Sequence, residues 1–184
     1  LINSQVDGII ISTSAETFNG NHLQEVLDRD TPLVQVDRVI SDVKSSTVVN
    51  DNFTASYNVV KHLIEQGYRR IAHYTGNRNI AIYKERFLGY KQALEDNGLS
   101  FDETLIFEGS LTREEGEQTT EKIFSSQTNL PDAIKSVGDF SAVGALAALK
   151  KMHIPVSGTI GITGFANEVV SQFTEPAITS VDQF

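Results

Sequence analysis

Hydrophobic residues along the chain form short compact runs that alternate with longer stretches in which apolar residues recur three and four positions apart. The run at residues 7–11 has the composition of a strand buried on both faces, and all of the short runs predict β-strands. They lie at residues 7–11, 32–36, 48–49, 71–75, 105–107, 133–137, 159–163 and 178–181. The longer stretches have the spacing of amphipathic helices. They lie at residues 22–29, 84–97, 113–124, 141–152 and 167–173, with a further helix that Asp51 or Thr54 caps and Gly67 ends.

The repeated strand–helix units predict how the chain folds. Short connections between a strand, a helix and the next strand indicate parallel strands joined by right-handed crossovers, and therefore a three-layer α/β fold. Ligands of such folds bind beyond the carboxyl ends of the strands. The candidate positions for function are therefore the residues that follow the strands, namely Ser12, Asp37, Gly76, 108–111, Asp139 and 166–167.

Composition and charge exclude several classes of protein. The 184 residues are 40% hydrophobic and 21% charged, which is ordinary for a globular domain. The formal net charge is -9, and basic residues form no cluster larger than an adjacent pair such as Arg69-Arg70. Because nucleic-acid phosphates are bound by clustered Lys and Arg, this stretch is not expected to bind DNA by itself. The absence of cysteine excludes disulfides and thiolate metal sites, and no apolar run is long enough to cross a bilayer.

Common catalytic and cofactor motifs are absent from the sequence. There is no phosphate-binding Gly-x-x-x-x-Gly-Lys loop and no Gly-x-Ser-x-Gly nucleophile motif. Gly158, Gly161 and Gly164 bracket a predicted strand and do not match a dinucleotide fingerprint. The four histidines are scattered, without a second metal ligand at helical spacing. The sequence thus predicts no catalytic residue, no metal site and no cofactor.

Several segments of the chain form a recognisable set. They are residues 6–11 with 32–38, 48–52 with 57–72, the string Glu85-Arg-Phe-Leu-Gly-Tyr90, and residues 131–146, 154–165 and 176–183. Each is a weak signal alone, but together they cover nearly the whole chain. In this order and at these separations they resemble the effector-binding core of the LacI/GalR family of bacterial transcription regulators.

The resemblance implies a periplasmic-binding-protein-like fold of type I, with two Rossmann-like subdomains built on parallel sheets. Residues 1–50 and 179–184 would be part of the N-terminal subdomain, and residues 51–178 most of the C-terminal one. The family's helix-turn-helix domain is not in this stretch, so the chain is expected to be truncated at both ends. The implied protein is a cytoplasmic homodimer without enzymatic activity or a membrane partner. A small effector, a sugar or sugar derivative, would bind in the interdomain cleft and control binding to operator DNA.

The resemblance also implies ligand roles for individual residues. Arg86 would reach the ligand with its planar set of donors, the alternative being a salt-bridged surface arginine. Asp37 would accept hydrogen bonds from sugar hydroxyls, or else bind neighbouring backbone or Arg38. Asp139 would contact the ligand, or else cap the helix that begins at Ser141.

Three further positions complete the predicted site. Ser12 resembles a pocket-lining position, and Leu111 stands where relatives often have an aromatic residue that stacks on the ligand. Many relatives have a ligand-binding aspartate where this chain has Ala166, whose side chain cannot form a hydrogen bond. Asn167 is expected to take over that role, or the ligand differs from simple hexoses.

Two other classes of protein remain as alternatives. A periplasmic sugar-binding protein of a transport system shares the fold, and an α/β enzyme acting on sugars or nucleotides is the third possibility. Residues 67–72 and 178–183 resemble the regulators more closely.

Overall fold

A computed structural model of the chain describes residues 6–14, 16–17, 19–126 and 128–183. The chain divides into two compact units. The first runs to Asp51 and includes Ile80–Ile82, and the second contains Asn52–Asn79 and the chain from Tyr83 onward.

The first unit is a small three-stranded parallel sheet with one helix. Its strands are β1 (Ile9–Ile11), β2 (Leu33–Val36) and β3 (Ser46–Val48), in the order β1-β2-β3. Helix α1 (Asn21–Leu27) connects β1 to β2. The unit has a small core because the apolar side of the helix packs on the sheet. The buried residues of this core are Leu23, Val26, Leu33 and Val43.

The second unit is built on a four-stranded parallel sheet in the order β5-β4-β6-β7. The strands are β4 (Ile71–Thr75), β5 (Ile106–Glu108), β6 (Ala133–Ser136) and β7 (Gly161–Thr163). The helices are α2 (Asn52–Glu65), α3 (Ala81–Asp96), α4 (Arg113–Ser126), α5 (Asp139–Lys151) and α6 (Val169–Gln172), and a 3-10 turn covers Glu103–Leu105.

Helices cover both faces of this sheet. On one face, α2 and α3 bury Val60, Leu63, Ile64, Tyr90, Ala93 and Leu94 against Ile71 and Ala133. On the other face, α4 and α5 bury Ile123, Ala145 and Leu149 against Ala72, Tyr74, Ile134 and Ile160. The central strands β4 and β6 are therefore covered on both sides, as in other parallel sheets.

Helices α4 and α5 approach each other closely at two glycines. A side chain at Gly144 would overlap the Arg113 carbonyl oxygen and the Glu117 nitrogen, and one at Gly116 would overlap the backbone of Ser141. The sequence thus allows backbone-to-backbone contact between these helices, which fixes the position of the α5 N-terminus at the end of β6.

The α/β class and the parallel sheets are confirmed, and most predicted elements occur within a few residues of their expected bounds. Gly67 and Gly98 end α2 and α3 in the left-handed backbone region, with φ of 100° and 72°. The exception is the predicted strand at residues 178–181, which is not a regular strand. Only Thr179 forms a bridge, to Thr163.

The proposed subdomain bounds stay a prediction. Contacts separate the two units between Asp51 and Asn52, while the described residues 179–183 group with the second unit. Within the described part of the chain, no helix has both the length and the apolar character needed to cross a membrane.

Candidate functional site

Arg86 is a buried side chain at the carboxyl-end edge of the second sheet. It lies in the second turn of α3 and is only 5% exposed. Its Nε donates to Asn52 Oδ1 and its Nη1 donates to the carbonyl oxygen of Val137, both at 2.8 Å. The guanidinium carbon lies 3.6 Å from the centre of the Phe165 ring. These contacts hold the planar group in one orientation, and its burial differs from the surface position that the alternative of a salt-bridged surface arginine predicts.

Asp139 is the first residue of α5 and connects two later segments of the chain. The residue before it, Gly138, is the N-cap and provides no side-chain cap. Asp139 is therefore not the N-cap that the alternative prediction made it. Its Oδ1 accepts from Ser180 Oγ at 2.7 Å and its Oδ2 from the Glu168 backbone N–H at 2.6 Å. Ser180 Oγ in turn accepts from the Asn167 N–H at 3.0 Å. Asp139 therefore positions the loop after β7.

This close approach of Asp139 requires a glycine. A Cβ on Gly164 would overlap Asp139 Oδ1. The loop that follows contains two residues with positive φ, Ala166 at 109° and Asn167 at 52°. Asparagine tolerates this region better than alanine does, so the backbone at Ala166 is strained.

Asn167 uses its side chain within the protein. Its Nδ2 donates to Asp182 Oδ2 at 3.1 Å, and its Oδ1 accepts from Gln172 Nε2 at 3.3 Å. The described structure therefore places Asn167 beside Asp139 and gives both residues protein partners. A direct ligand contact by Asn167 stays a prediction.

Leu111 lies between β5 and α4, also with a positive φ of 62°. It lines a small cavity of about 20 Å³ together with Phe107 and Ser141, which is room for about one water molecule. The side chain is a neighbour of Gly138: a Cβ added to that glycine would lie 3.9 Å from Leu111 Cβ. Leu111 can thus provide an aliphatic wall at the carboxyl ends of the strands.

Ser12 and Asp37 belong to the first unit, where they follow the neighbouring parallel strands β1 and β2. Both are exposed, and Asp37 has a φ of 59°. The two loops are tied together by Thr13, whose Oγ1 donates to the Arg38 carbonyl at 3.1 Å. Gln35 is fully buried and holds the loop after β2, since its Oε1 accepts from the Ile40 N–H at 2.8 Å.

A layer of buried polar side chains crosses the second sheet near Arg86, closer to the amino ends of the strands. His73, Lys135 and Thr163 are direct neighbours on β4, β6 and β7. All three are at most 1% exposed. The Lys135 amine and the hydroxyls of Thr163 and Thr75 form no hydrogen bond among the described residues. Such unpaired groups are rare in folded proteins.

Burial also changes the protonation of this polar layer. It lowers the pKa of the Lys135 ammonium well below its ordinary value, and the charge of Arg86 lowers it further. The pKa of His73 is likewise lowered well below 6.5, first by burial and then by the charge of Lys135. The His73 ring stacks on Tyr90, with 4.6 Å between ring centres.

A larger cavity, of about 580 Å³, lies along the edge strand β7 of the second sheet. Its lining extends from Tyr68, Asp132 and Ser157, which precede the strands, to Thr163 and Thr179. It is the weaker candidate for a ligand site because ligands of parallel sheets bind beyond the carboxyl ends of the strands. No three His, Asp or Glu side chains are grouped as metal ligands within the described ranges.

The structure thus brings four of the six predicted residues to one edge of the second sheet: Arg86, Leu111, Asp139 and Asn167. The other two, Ser12 and Asp37, share the corresponding edge of the first sheet. Sequence reasoning missed Asn52, Phe165 and Ser180. These residues contact the predicted ones but lie 13 to 79 positions from them along the chain, so no local pattern indicates their roles.

Comparison with known proteins gives a consistent result. A family profile described as "Periplasmic binding proteins and sugar binding domain of LacI family" matches residues 1–183. The HTH-type transcriptional regulator DegA of Bacillus subtilis (strain 168) is 29% identical over 180 residues, which is 97% of this chain. Those residues are 53% of DegA, so the chain spans about half the length of this relative.

Solved structures show the same similarity. The transcription regulator CcpA of Lactococcus lactis superposes with a TM-score of 0.86 at 30% identity, over 99% of this chain and 65% of that one. The complex of the transcriptional regulator CelR with cellobiose gives a TM-score of 0.87 at 27% identity, over 99% and 55%.

Proposed function

Because the chain belongs to the family of periplasmic binding proteins and LacI sugar-binding domains, we propose that it is the effector-binding domain of a DNA-binding transcription regulator. Its task would be to bind a small molecule, a sugar or sugar derivative, without chemical change. The observation that carries this proposal is the buried, oriented Arg86 at the carboxyl-end edge of the second sheet.

Arg86 suits this task because its orientation is set before a ligand arrives. Asn52 and Val137 hold one side of the guanidinium, and the Phe165 ring supports its plane. A fixed fork of donors loses less entropy when it binds hydroxyl or carboxylate oxygens than a mobile side chain would. Leu111 would add an apolar wall, and Asp139 would act through the loop that it positions. From the first unit, Ser12 and Asp37 would contribute polar contacts.

The relatives support a regulator over the transport protein and over an enzyme. DegA and CcpA are both described as regulators, and the CelR structure contains a bound disaccharide. We therefore propose a carbohydrate-related effector, operator DNA bound through a separate domain, and a cytoplasmic homodimer. Dimers bind palindromic operators because both have two-fold symmetry.

The proposed mechanism is a shift between two conformations of the regulator. A ligand shifts such an equilibrium only through its different affinities for the two states. Reversing a population ratio of 1:99 needs about 5.5 kcal/mol of that difference. One charge-assisted hydrogen bond contributes about 1.5–3 kcal/mol, so Arg86 alone would not be sufficient and the other contacts must add to it.

Substitution of Arg86 tests the ligand role. A thermal-shift screen of sugars and their derivatives identifies a ligand, since binding to the folded state raises its stability. We expect Arg86→Ala to weaken the binding of that ligand by about 1.5–3 kcal/mol, with Arg86→Lys intermediate because it keeps the charge and loses the fork. The exposed Arg113→Ala is the matched control, and circular dichroism checks folding. Unchanged affinity in a folded Arg86→Ala protein would contradict the assignment.

A second experiment tests the regulatory role. We expect the full-length protein to protect a palindromic site in DNA footprinting, and the ligand found in the screen to change that protection. A full-length protein that protects no DNA upstream of its own gene would count against the proposal.

A further inference from the structure

The loop between β7 and α6, residues 164–168, supports Arg86 and has an unusual backbone. Its Phe165 is buried, and the centre of the ring lies 3.6 Å from the guanidinium carbon of Arg86. The next two residues, Ala166 and Asn167, have φ of 109° and 52°. Residues with a side chain disfavour this backbone region, so the loop keeps its shape only where surrounding contacts hold it.

The chain after Ile178 provides most of these contacts. The N–H groups of Gly164 and Ala166 donate to backbone carbonyl oxygens of this segment, at 2.9 and 3.0 Å. The N–H of Asn167 donates instead to a side chain, the Oγ of Ser180, at 3.0 Å. A hydroxyl therefore takes the place of a backbone acceptor at the second residue with positive φ.

The Ser180 hydroxyl is oriented because it also has an acceptor. It donates to Asp139 Oδ1 at 2.7 Å, while Asp139 Oδ2 accepts from the Glu168 N–H at 2.6 Å. A hydroxyl can donate one hydrogen bond and still accept another, so Ser180 can serve both neighbours at once. Asp139 is only 1% exposed and begins α5, whose N-terminus is fixed by its contact with α4. Ser180 thus connects the loop to a fixed point of the fold.

The other side-chain contacts of the loop lie at the surface. Asn167 Nδ2 donates to Asp182, and Asn167 Oδ1 accepts from Gln172, both in exposed positions. These bonds hold the asparagine side chain and not the backbone of the loop. The hydroxyl of Ser180 is half-buried and bonds to the backbone itself, so its loss is the more direct way to release the loop.

We propose, on the basis of the function proposed above, that Ser180 is a positioning residue of the ligand site, whose hydroxyl holds Phe165 against the guanidinium of Arg86. Removing the hydroxyl takes one hydrogen-bond partner from the Asn167 N–H and one from Asp139. The two residues with positive φ then lose a contact that holds them, and the loop relaxes towards ordinary backbone angles. Phe165 moves with the loop, and the plane of the guanidinium loses its support.

Arginine side-chain NMR of the full-length protein tests this proposal without a ligand. The Nε–H signal of Arg86 is assigned by its loss in Arg86→Lys. Because an aromatic ring shifts the signals of nearby protons, Phe165→Leu shows how that signal changes when the ring is removed. We expect Ser180→Ala to move the signal in the same direction as Phe165→Leu, or to broaden it beyond detection. Ser180→Thr keeps the hydroxyl and should restore the wild-type signal.

Amide hydrogen exchange measures the loop itself. We expect residues 164–168 to exchange at least about tenfold faster in Ser180→Ala than in the wild-type protein, because local opening becomes easier. Residues 71–75 of β4 should not change. Asp139→Asn breaks the same connection while keeping the size of the side chain, and it should change the Arg86 signal in the same direction as Ser180→Ala. This second variant keeps the test valid if Ser180→Ala does not fold.

Thr120→Val is the matched control for the loss of a hydroxyl. The Thr120 hydroxyl is buried, donates to the Gly116 carbonyl at 2.7 Å and is bonded to the Tyr74 hydroxyl at 2.8 Å. Its removal should lower stability on the other face of the sheet and leave the Arg86 signal unchanged. A purely structural role of Ser180 would instead give both variants the same pattern, a lower melting temperature with an unchanged signal.

Three outcomes would overturn the proposal. They are an unchanged Arg86 signal in a folded Ser180→Ala or Asp139→Asn protein, an equal change in Thr120→Val, and a failure of Ser180→Thr to restore the signal. None of these measurements uses a ligand. A screen in which no sugar binds through Arg86 would therefore count against the proposed function, while the NMR result would still show whether Ser180 positions the arginine.

Discussion

Replacing Lys135 by methionine tests the unusual electrostatics of the sheet without any ligand. The amine lies in β6 between β4 and β7, is fully buried and has no hydrogen-bond partner among the described residues. Burial and, to a smaller extent, the charge of Arg86 lower its pKa well below the ordinary value. The unfolded chain binds a proton at this lysine below about pH 10.4. The folded protein does so only at much lower pH, so the free energy of unfolding decreases as the pH falls from 10.4 towards the lowered pKa.

The size of this effect follows from proton linkage. Within that pH window, one lysine changes the free energy of unfolding by about 1.4 kcal/mol for each pH unit. The methionine variant lacks this contribution and also removes an unpaired buried polar group, which costs about 1–3 kcal/mol. We therefore expect Lys135→Met to be more stable than the wild-type protein near neutral pH. Its advantage should shrink as the pH rises from about 7.5 to 9.5, by up to about 3 kcal/mol.

Urea unfolding at a series of pH values measures this difference. The chain has five tyrosines and no tryptophan, and all five tyrosines lie in the second unit. Tyrosine fluorescence therefore reports on the unit that contains Lys135, provided that the pH stays below the tyrosine pKa of about 10. Lys61→Met, an exposed lysine, should differ from the wild-type protein by an amount that does not change with pH. A pH-independent difference for Lys135→Met as well would refute the reasoning, because the folded protein would then keep the proton on the lysine.

Two further substitutions test the same sheet and its helices. His73→Phe should remove a loss of stability at acid pH. Because the folded pKa of His73 lies well below 6.5, the free energy of unfolding of the wild-type protein falls by up to about 1.4 kcal/mol for each pH unit below 6.5. Urea unfolding measures this dependence, and an equal change with pH in the two proteins would contradict the prediction. Gly144→Ala should destabilise the protein by about 1–3 kcal/mol, since its Cβ would overlap the Arg113 carbonyl and force α4 from α5. The exposed Gln118→Ala on α4 serves as its control, and a Gly144→Ala melting temperature equal to that of the control would show that the helices can separate without cost.

The order of elements could be predicted because each depends on local signals. The run Ile9–Ile11 is apolar throughout, and Gly67 and Gly98 provide the positive φ that ends a helix. The strand expected at residues 178–181 failed for a reason that is not local. It accepts backbone hydrogen bonds from Gly164 and Ala166, while the Ile178 N–H donates to Ser171 in α6. The positive φ values at Ala166 and Asn167 do not allow a regular ladder to continue.

The sequence predicts where the site residues lie along the chain, but not which residues they contact. Strand ends indicate where Asp37, Leu111 and Asp139 lie, and the resemblance to a family indicates Arg86. Asp139 contacts Glu168 and Ser180, which are 29 and 41 positions away. No periodic pattern connects residues so far apart, so the role of Asp139 in positioning a loop depends on the fold itself.

Lys135 is where the local rules and the structure disagree most. Alternation along Ala133–Ser136 would place a lysine on the solvated face of a half-exposed strand. The order β5-β4-β6-β7 instead puts β6 in the interior of the sheet, with core side chains on both faces, where lysine is among the least expected residues. An aliphatic residue would fill the same place without the loss of an ammonium's hydration. A sequence that keeps such a residue next to its proposed ligand site departs from the usual packing of a sheet interior at a place where function can compensate for the cost of burying an amine.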